Sequence, residues 1–138
     1  RTEIMRAFPY PVFPGERHTR PGLIVNRMSH AYDFIFTNVS LLVVRHMSDG
    51  ITANRRRIQQ ANPQGYRIYF LEEIRDNARF SSRKALFSYY QRYVRMSLGS
   101  GMGLTTQWVE VPDRMLWFKA LPGALLAHFR DRMVSARP

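Results

Sequence analysis

Apolar positions in this chain gather into one long run and only later settle into a helical period. The run reads Phe34-Ile35-Phe36-Thr37-Asn38-Val39-Ser40-Leu41-Leu42-Val43-Val44, and eleven of the seventeen residues from Ala31 to Met47 are apolar or aromatic. Wound as a helix, residues 30–48 would measure about 28 Å, close to the roughly 30 Å of hydrocarbon in a bilayer. The polar residues within the run are ordered. Asp33, Thr37 and Ser40 fall at i, i+4 and i+7, with His30 one turn earlier, so they share a helix face. Two readings follow. One is an amphipathic helix of an ordinary domain with this stripe in water. The other is a membrane-spanning helix whose stripe packs on other helices, where Ser and Thr are at home and an Asp faces protein rather than lipid. A lone span is disfavoured, because Asn38 and Asp33 would meet hydrocarbon unpaired. With Ser29 as N-cap, the pattern predicts an apolar helix over 29–61, pausing at Ser48-Asp49-Gly50 and ending in a basic collar at Arg55-Arg56-Arg57.

The flanking segments complete a mainly α, non-globular expectation. Residues 1–28 form an arm in which Pro9, Pro11, Pro14 and Pro21 stand among Phe8, Tyr10 and Phe13. Prolines at this density remove backbone donors and favour extended chain. An arm laying its aromatics on a neighbouring subunit is preferred here to a ligand of the Pro11–Pro14 PxxP type. Asn62-Pro63-Gln64-Gly65 marks a break, since proline blocks continuation and glycine accepts a left-handed cap. Residues 66–98 then lack Pro and Gly, and Leu71, Ile74, Ala78, Ala85, Tyr89, Tyr93 and Met96 predict one long helix. Arg75, Arg79 and Arg83 make a basic row along it, with Glu72 and Asp76 spaced to pair. The remainder, 99–138, reads as a loop from Gly99 to Gly103 and a short helix of Leu116, Trp117, Leu121, Leu125 and Leu126, interrupted by Pro122 and trailing Arg130, Arg132 and Arg137.

Charge narrows the partners. The formal net charge is +11, and all basic residues except Lys84 and Lys119 are Arg. Such an excess calls for an acidic partner: RNA, anionic lipid or acidic subunits. Three readings attach to Arg55, Arg56 and Arg57. Anionic lipid headgroups suit a basic collar after an apolar helix, and a solvated face paired to acidic neighbours stands level with that. Nucleic-acid contact ranks below both, for want of interleaved aromatics. The absence of Cys removes disulfides and thiolate metal sites. An opening Arg1 in place of Met suits a processed terminus, such as one left after an organellar transit peptide.

Candidate chemistry is sparse. Gly99, Gly101 and Gly103 follow a predicted helix rather than a strand, and no Gly-Lys-Ser/Thr comes after them, so they read as a C-cap and not a phosphate loop. His18, His30, His46 and His128 show no metal-ligand spacing. His30 and Asp33 could share a face, as a polar contact between helices rather than a proton-transfer pair. The sequence therefore assigns no catalytic, cofactor-binding or metal residues, and no enzyme is expected.

The order of features resembles a family. Arg20-Pro-Gly-Leu23 precedes the apolar segment, Arg55-Arg56-Arg57-Ile58-Gln59 follows it, Arg67-Ile68 opens the long helix, and Thr105-Thr106-Gln107-Trp108-Val109 comes late. This pattern, over residues 9–112, is similar to that of the accessory subunit of mitochondrial respiratory complex I related to the gene associated with retinoid–interferon-induced mortality. Pro63 and Gly65 interrupt what is continuous helix in that family. Gln107 stands where the family has Arg, and Glu110 separates Val109 from Val111-Pro112. The resemblance implies a non-catalytic subunit of the mitochondrial inner membrane that supports assembly of NADH:ubiquinone oxidoreductase, crosses the membrane once, contacts other subunits and carries no cofactor. The alternatives are a basic accessory protein of the mitochondrial ribosome that binds rRNA, or an accessory subunit of another respiratory complex or of ATP synthase.

Overall fold

The computed structural model of the chain describes residues 2–40, 42–45, 47–48 and 50–135. Among them it has seven α-helices, a 3-10 turn at Ala78–Phe80 and no strand. The mainly α expectation holds. The scaffold is a hairpin of α4 (Pro63–Arg75) and α5 (Arg83–Gly99), crossed by α7 (Arg114–Ser135). Spacing of i, i+3, i+4 and i+8 puts Tyr66, Tyr69, Phe70 and Ile74 on the inner face of α4, and i, i+3, i+4 and i+7 puts Tyr90, Tyr93, Val94 and Ser97 on that of α5, all buried. Trp117, Ala120 and Ala124 of α7 close the core. Small residues let α7 come near: a Cβ added at Gly123 would lie 2.5 Å from Gln91 Nε2 on α5.

Local signals bound these helices. Pro63 occupies the first turn of α4, where its missing N–H costs nothing. Ser82 Oγ accepts the Ala85 N–H at 3.2 Å and caps α5. At the other end of α5, Gly101 has φ +81°, Met102 N–H donates to Ser97 O and Gly101 N–H to Leu98 O. That is a Schellman ending, in which glycine takes the left-handed residue at no steric cost. Helix α6 (Leu104–Glu110) returns the chain to Asp113, whose Oδ1 accepts the Leu116 N–H at 2.8 Å and starts α7.

Several sequence expectations are corrected. The apolar run is not a helix. Helix α2 (Gly22–Ser29) stops where the run was expected to begin, and α3 (Arg55–Ala61) starts after it, with the described residues between Asp33 and Met47 outside any helix. No described helix is long and apolar enough to cross a membrane. The physical reason lies in the pattern: outside the narrow Asp33-Thr37-Ser40 stripe, large and β-branched side chains would cover most of the circumference of such a helix, more than one packed face can bury. The arm is not extended throughout either, since α1 (Thr2–Ala7) and α2 are helical and only the proline stretch between them is open chain. The long helix over 66–98 is two helices. Asp76-Asn77 and Ser81-Ser82 supply the turn and cap that end one and start the other. Pro122 does not interrupt α7: it is exposed, and packing of Trp117, Ala120 and Ala124 on α5 outweighs its cost of about 3 kcal/mol. The chain is therefore a packed bundle with one unpacked excursion, not a non-globular rod. Arg1, Leu41, His46, Asp49 and Arg137, which the sequence reading placed at the processed terminus, in the apolar helix and its turn, and in the basic tail, lie outside the described residues.

Candidate functional site

The most unusual feature is the excursion. From Ala31 to Ser40, and again from Leu42 to Arg45, every described residue is exposed. Ile35 is 97%, Phe36 92% and Val43 93% accessible. Among the described residues of the stretch, Val39 N–H donates to Thr37 Oγ1 at 3.3 Å, and the stretch's backbone bonds to the helices are those of Ala31 and Tyr32 N–H to Met28 O at its root. An apolar segment left in water forgoes about 25 cal/mol for each Å² it could bury, and contiguous exposed apolar surface marks an interaction site.

Both ends of this strap are fixed. On the upstream side, the Glu16 carboxylate accepts the backbone N–H groups of Gln64 at 2.6 Å and Gly65 at 2.8 Å, at the positive end of α4. Asn62 Oδ1 accepts the N–H groups of Arg17 and His18 at 2.7 and 2.9 Å, and its Nδ2 donates to Ile58 O. Gly65 permits this approach, because a Cβ there would meet Thr19 Oγ1 at 3.0 Å. Helix α2 is then held by Leu23 and Ile24, both buried, by Arg27 on both oxygens of Glu72, and by Asn26 on Glu73 at 2.7 Å. The Glu72 hydrogen bond raises the Arg27 pKa, so the guanidinium stays charged. Phe8 meets Tyr32 edge-on at the strap's root.

On the downstream side, Arg56 reaches across to α7. It donates to Asp131 Oδ1 at 2.7 and 3.0 Å, while Arg95 of α5 donates to Oδ2. Burial works to raise the Asp131 carboxyl, but the hydrogen bonds and charges of Arg95 and Arg56 outweigh it and hold the group below the ordinary carboxylate range. Beside this triad lies a pocket of about 180 Å³, lined by Gln60, Pro63, Arg95, His128 and Arg132 among others. Burial, Arg132 and Arg95 push the His128 imidazole down against the opposing pull of Asp131, so it is neutral at pH 7. A further pin is Glu110, whose Oε2 accepts from Arg67 at 2.9 Å and Tyr93 at 2.7 Å, while Arg75 donates to its carbonyl. Burial first, and then that acceptor, raise the Tyr93 phenol.

The residues singled out in the sequence are scattered by this geometry. Asp33, Thr37 and Ser40 are all exposed on the strap and share no helix face. Arg55, Arg56 and Arg57 open α3; Arg55 and Arg57 are exposed, and Arg56 is committed to Asp131. Glu72 pairs with Arg27 rather than within its own helix, and Arg79 stacks on Phe80. Glu16 and Asp131 have no role in the sequence reading, where Asn62 figures only in the break before α4 and Glu110 only as a departure from the family pattern. Asn62, two residues into the Ala61-Asn62-Pro63 turn, carried the one usable signal, because an Asn before a helix-opening Pro is a ready side-chain acceptor. Glu16 and Asp131 find partners from 36 to 75 positions away, which no local pattern reveals.

Among the described residues, no group of three or more His, Asp or Glu side chains is placed to hold a metal ion. What the arrangement does chemically is fix the two ends of an exposed apolar strap to a Tyr-rich bundle. Comparison with known protein families, with curated proteins and with solved structures found no match.

Proposed function

We propose that this chain is a non-catalytic structural subunit of a larger assembly, and that it binds by laying its strap on a neighbouring subunit. The observation that carries the reading is the pairing of opposites in one molecule: side chains such as Ile35, Phe36 and Val43 stand free while both roots of the strap are tied down by Glu16, Arg27 and Arg56. A pre-anchored segment loses less conformational entropy when it docks than a free tail would. Respiratory complex I in the mitochondrial inner membrane is the assembly we favour, on the order of the short motifs at Arg20–Leu23, Arg55–Gln59, Arg67-Ile68 and Thr105–Val109. In this reading the apolar run lies extended against other subunits instead of crossing the bilayer as a helix. The test is comigration of the tagged chain on a native gel with NADH-dehydrogenase activity, and its loss when Ile35, Phe36 and Val43 are replaced by Ser.

A second reading, an rRNA-binding accessory protein of the mitochondrial ribosome, draws on a specific observation. Arg55, Arg57, Arg83 and Arg130 are exposed, and cations with no committed partner suit phosphate contact with counterion release. Comigration with ribosomal particles, sensitive to ribonuclease, would select it over the respiratory assembly.

A further inference from the structure

Helix α7 is apolar on two opposite faces. Trp117, Ala120, Ala124 and Asp131 form the buried face against α5. On the other side, at about 100° per residue, Met115, Phe118, Pro122, Leu126, Phe129 and Met133 fall within an arc of about 80°. The five large side chains of that stripe are each more than half exposed. Arg114 and Arg132 border it along one edge, Lys119 and Arg130 along the other, and all four are exposed. The helix contains a single carboxylate, Asp131, which is buried and shared by Arg56 and Arg95.

What covers the stripe can be argued from its borders and its register. A second copy of the chain would bring Arg and Lys borders against Arg and Lys borders, which repel. A partner helix in coiled-coil packing would follow positions 115, 118, 122, 125, 129 and 132. That seam contains Pro122 and Arg132, neither of which fills a hole in a facing helix. Lipid needs no knob-in-hole fit. Unbranched or aromatic side chains enter an acyl boundary readily, and long basic side chains on both edges reach outward to phosphates. With 22 residues the helix is about 33 Å long, and its basic borders keep it in the plane of the surface rather than across it.

We propose that α7 lies in the surface of an anionic phospholipid bilayer, its Met115-to-Met133 stripe at the acyl boundary and Arg114, Lys119, Arg130 and Arg132 on headgroup phosphates. This concerns a face the strap leaves uncovered, and it holds whichever assembly the strap joins. The test is cosedimentation of the purified full chain with vesicles of phosphatidylcholine alone or mixed with phosphatidylglycerol. The chain is expected to pellet with the mixed vesicles. Phe118→Ser with Phe129→Ser should weaken that partition by about tenfold per ring, with little change in circular dichroism or melting, since each ring is more than half exposed in the free protein. Lys119→Gln with Arg130→Gln should weaken it too and flatten its salt dependence. A strap variant, Ile35→Ser with Val43→Ser, should pellet like the wild type, so that failure here is separable from failure of the assembly reading. Wild-type affinity in the double-Ser ring variant would overturn the proposal, because the +11 charge alone would then be responsible. Failure to pellet with either vesicle overturns it as well. If a concentration-dependent dimer then appears and the ring substitutions abolish it, the face belongs to a second copy; without one, it is left to an acidic protein.

Discussion

Residues 34–44 and residues 66–74 are similarly rich in apolar side chains, yet the described residues of the first segment stand in water and the second forms the heart of the core. Spacing and partners separate them. In the second segment, Tyr66, Tyr69, Phe70 and Ile74 recur at helical intervals, with Arg67 and Glu72 flanking that face and Glu73 buried on it. Each of those charges finds a partner on another element: Arg67 with Glu110, Glu72 with Arg27, and Glu73 with Asn26. In the strap, Phe34, Ile35 and Phe36 are consecutive, Leu41 to Val44 are consecutive again, and no charge lies between Asp33 and Arg45. Apolar content alone therefore does not decide burial. A segment joins this bundle when its apolar residues fit one face and its charges can bridge to the next helix.

The sharpest way to break the comparison is to remove one ring from the core. Phe70→Ala empties a site that is 1% exposed between Tyr69 and Tyr89. The expected loss is about 3–5 kcal/mol, read as a drop in the denaturant midpoint at unchanged slope. A loss below about 1 kcal/mol would mean that the core tolerates a cavity and does not depend on specific packing.

Next in size is the triad that ties the strap's downstream root to α5 and α7. Asp131→Asn leaves Arg95 largely buried without its counter-charge, and about 2–3 kcal/mol is expected once the near half exposure of Arg56 is discounted. The pH dependence has a definite sign. The Asp131 carboxyl sits below its ordinary value in the folded chain, so its contribution is complete above the unfolded pKa of about 3.9 and disappears as pH falls through the depressed folded value. The stability gap between wild type and Asp131→Asn should therefore be constant from neutral pH down to about 5 and close below about 4. A gap that stays open in acid would mean the Asn acts through packing and not through lost charge.

A smaller effect is expected at the upstream root. Glu16→Ala removes the acceptor for the Gln64 and Gly65 N–H groups, which the helix cannot satisfy internally, and should cost about 1–2 kcal/mol. Hydrogen exchange should show Gln64 and Gly65 losing protection while the middle of α5 keeps it. Equal loss in both places would show that the arm is integral to the bundle.

How far the sequence discloses these two regions depends on range. Helical spacing from Tyr66 onward discloses a helix, and Asn62-Pro63 discloses where it starts. The break between α4 and α5 was missed because Pro and Gly served as the only stop signals, although Ser82, whose side chain caps Ala85, carries the same information. The apolar run misleads in the other direction: length and hydropathy suit a spanning helix, but its apolar residues are consecutive rather than confined to one face, and only the narrow Asp33-Thr37-Ser40 stripe keeps a helical period. The roots of the strap were invisible, since Glu16–Gly65 and Arg56–Asp131 join residues that only the tertiary fold brings together. The exposed stripe on α7 was obscured by its buried counterpart, because apolar residues on both faces of a helix leave little amphipathic signal to read.

The smallest effect is the most informative about the comparison. Phe36→Ala and Val43→Ala remove large side chains, as Phe70→Ala does, but each of these two is more than 90% exposed. With that exposure among the described residues they fill no packed site, so no cavity is created. Stability should stay within about 0.5 kcal/mol of wild type, and any change in solubility should be an improvement, because exposed apolar surface is removed. The same substitutions should weaken capture of the chain by its assembly, where burying one such side chain is worth about 1.5–3 kcal/mol. The measurement is a pair of curves for each variant: unfolding of the purified protein and competition with wild type for incorporation. Destabilisation of the free protein by more than about 1 kcal/mol would mean that the strap folds back on the bundle in solution. It would then be a part of the core awaiting its place rather than a surface held out for a partner.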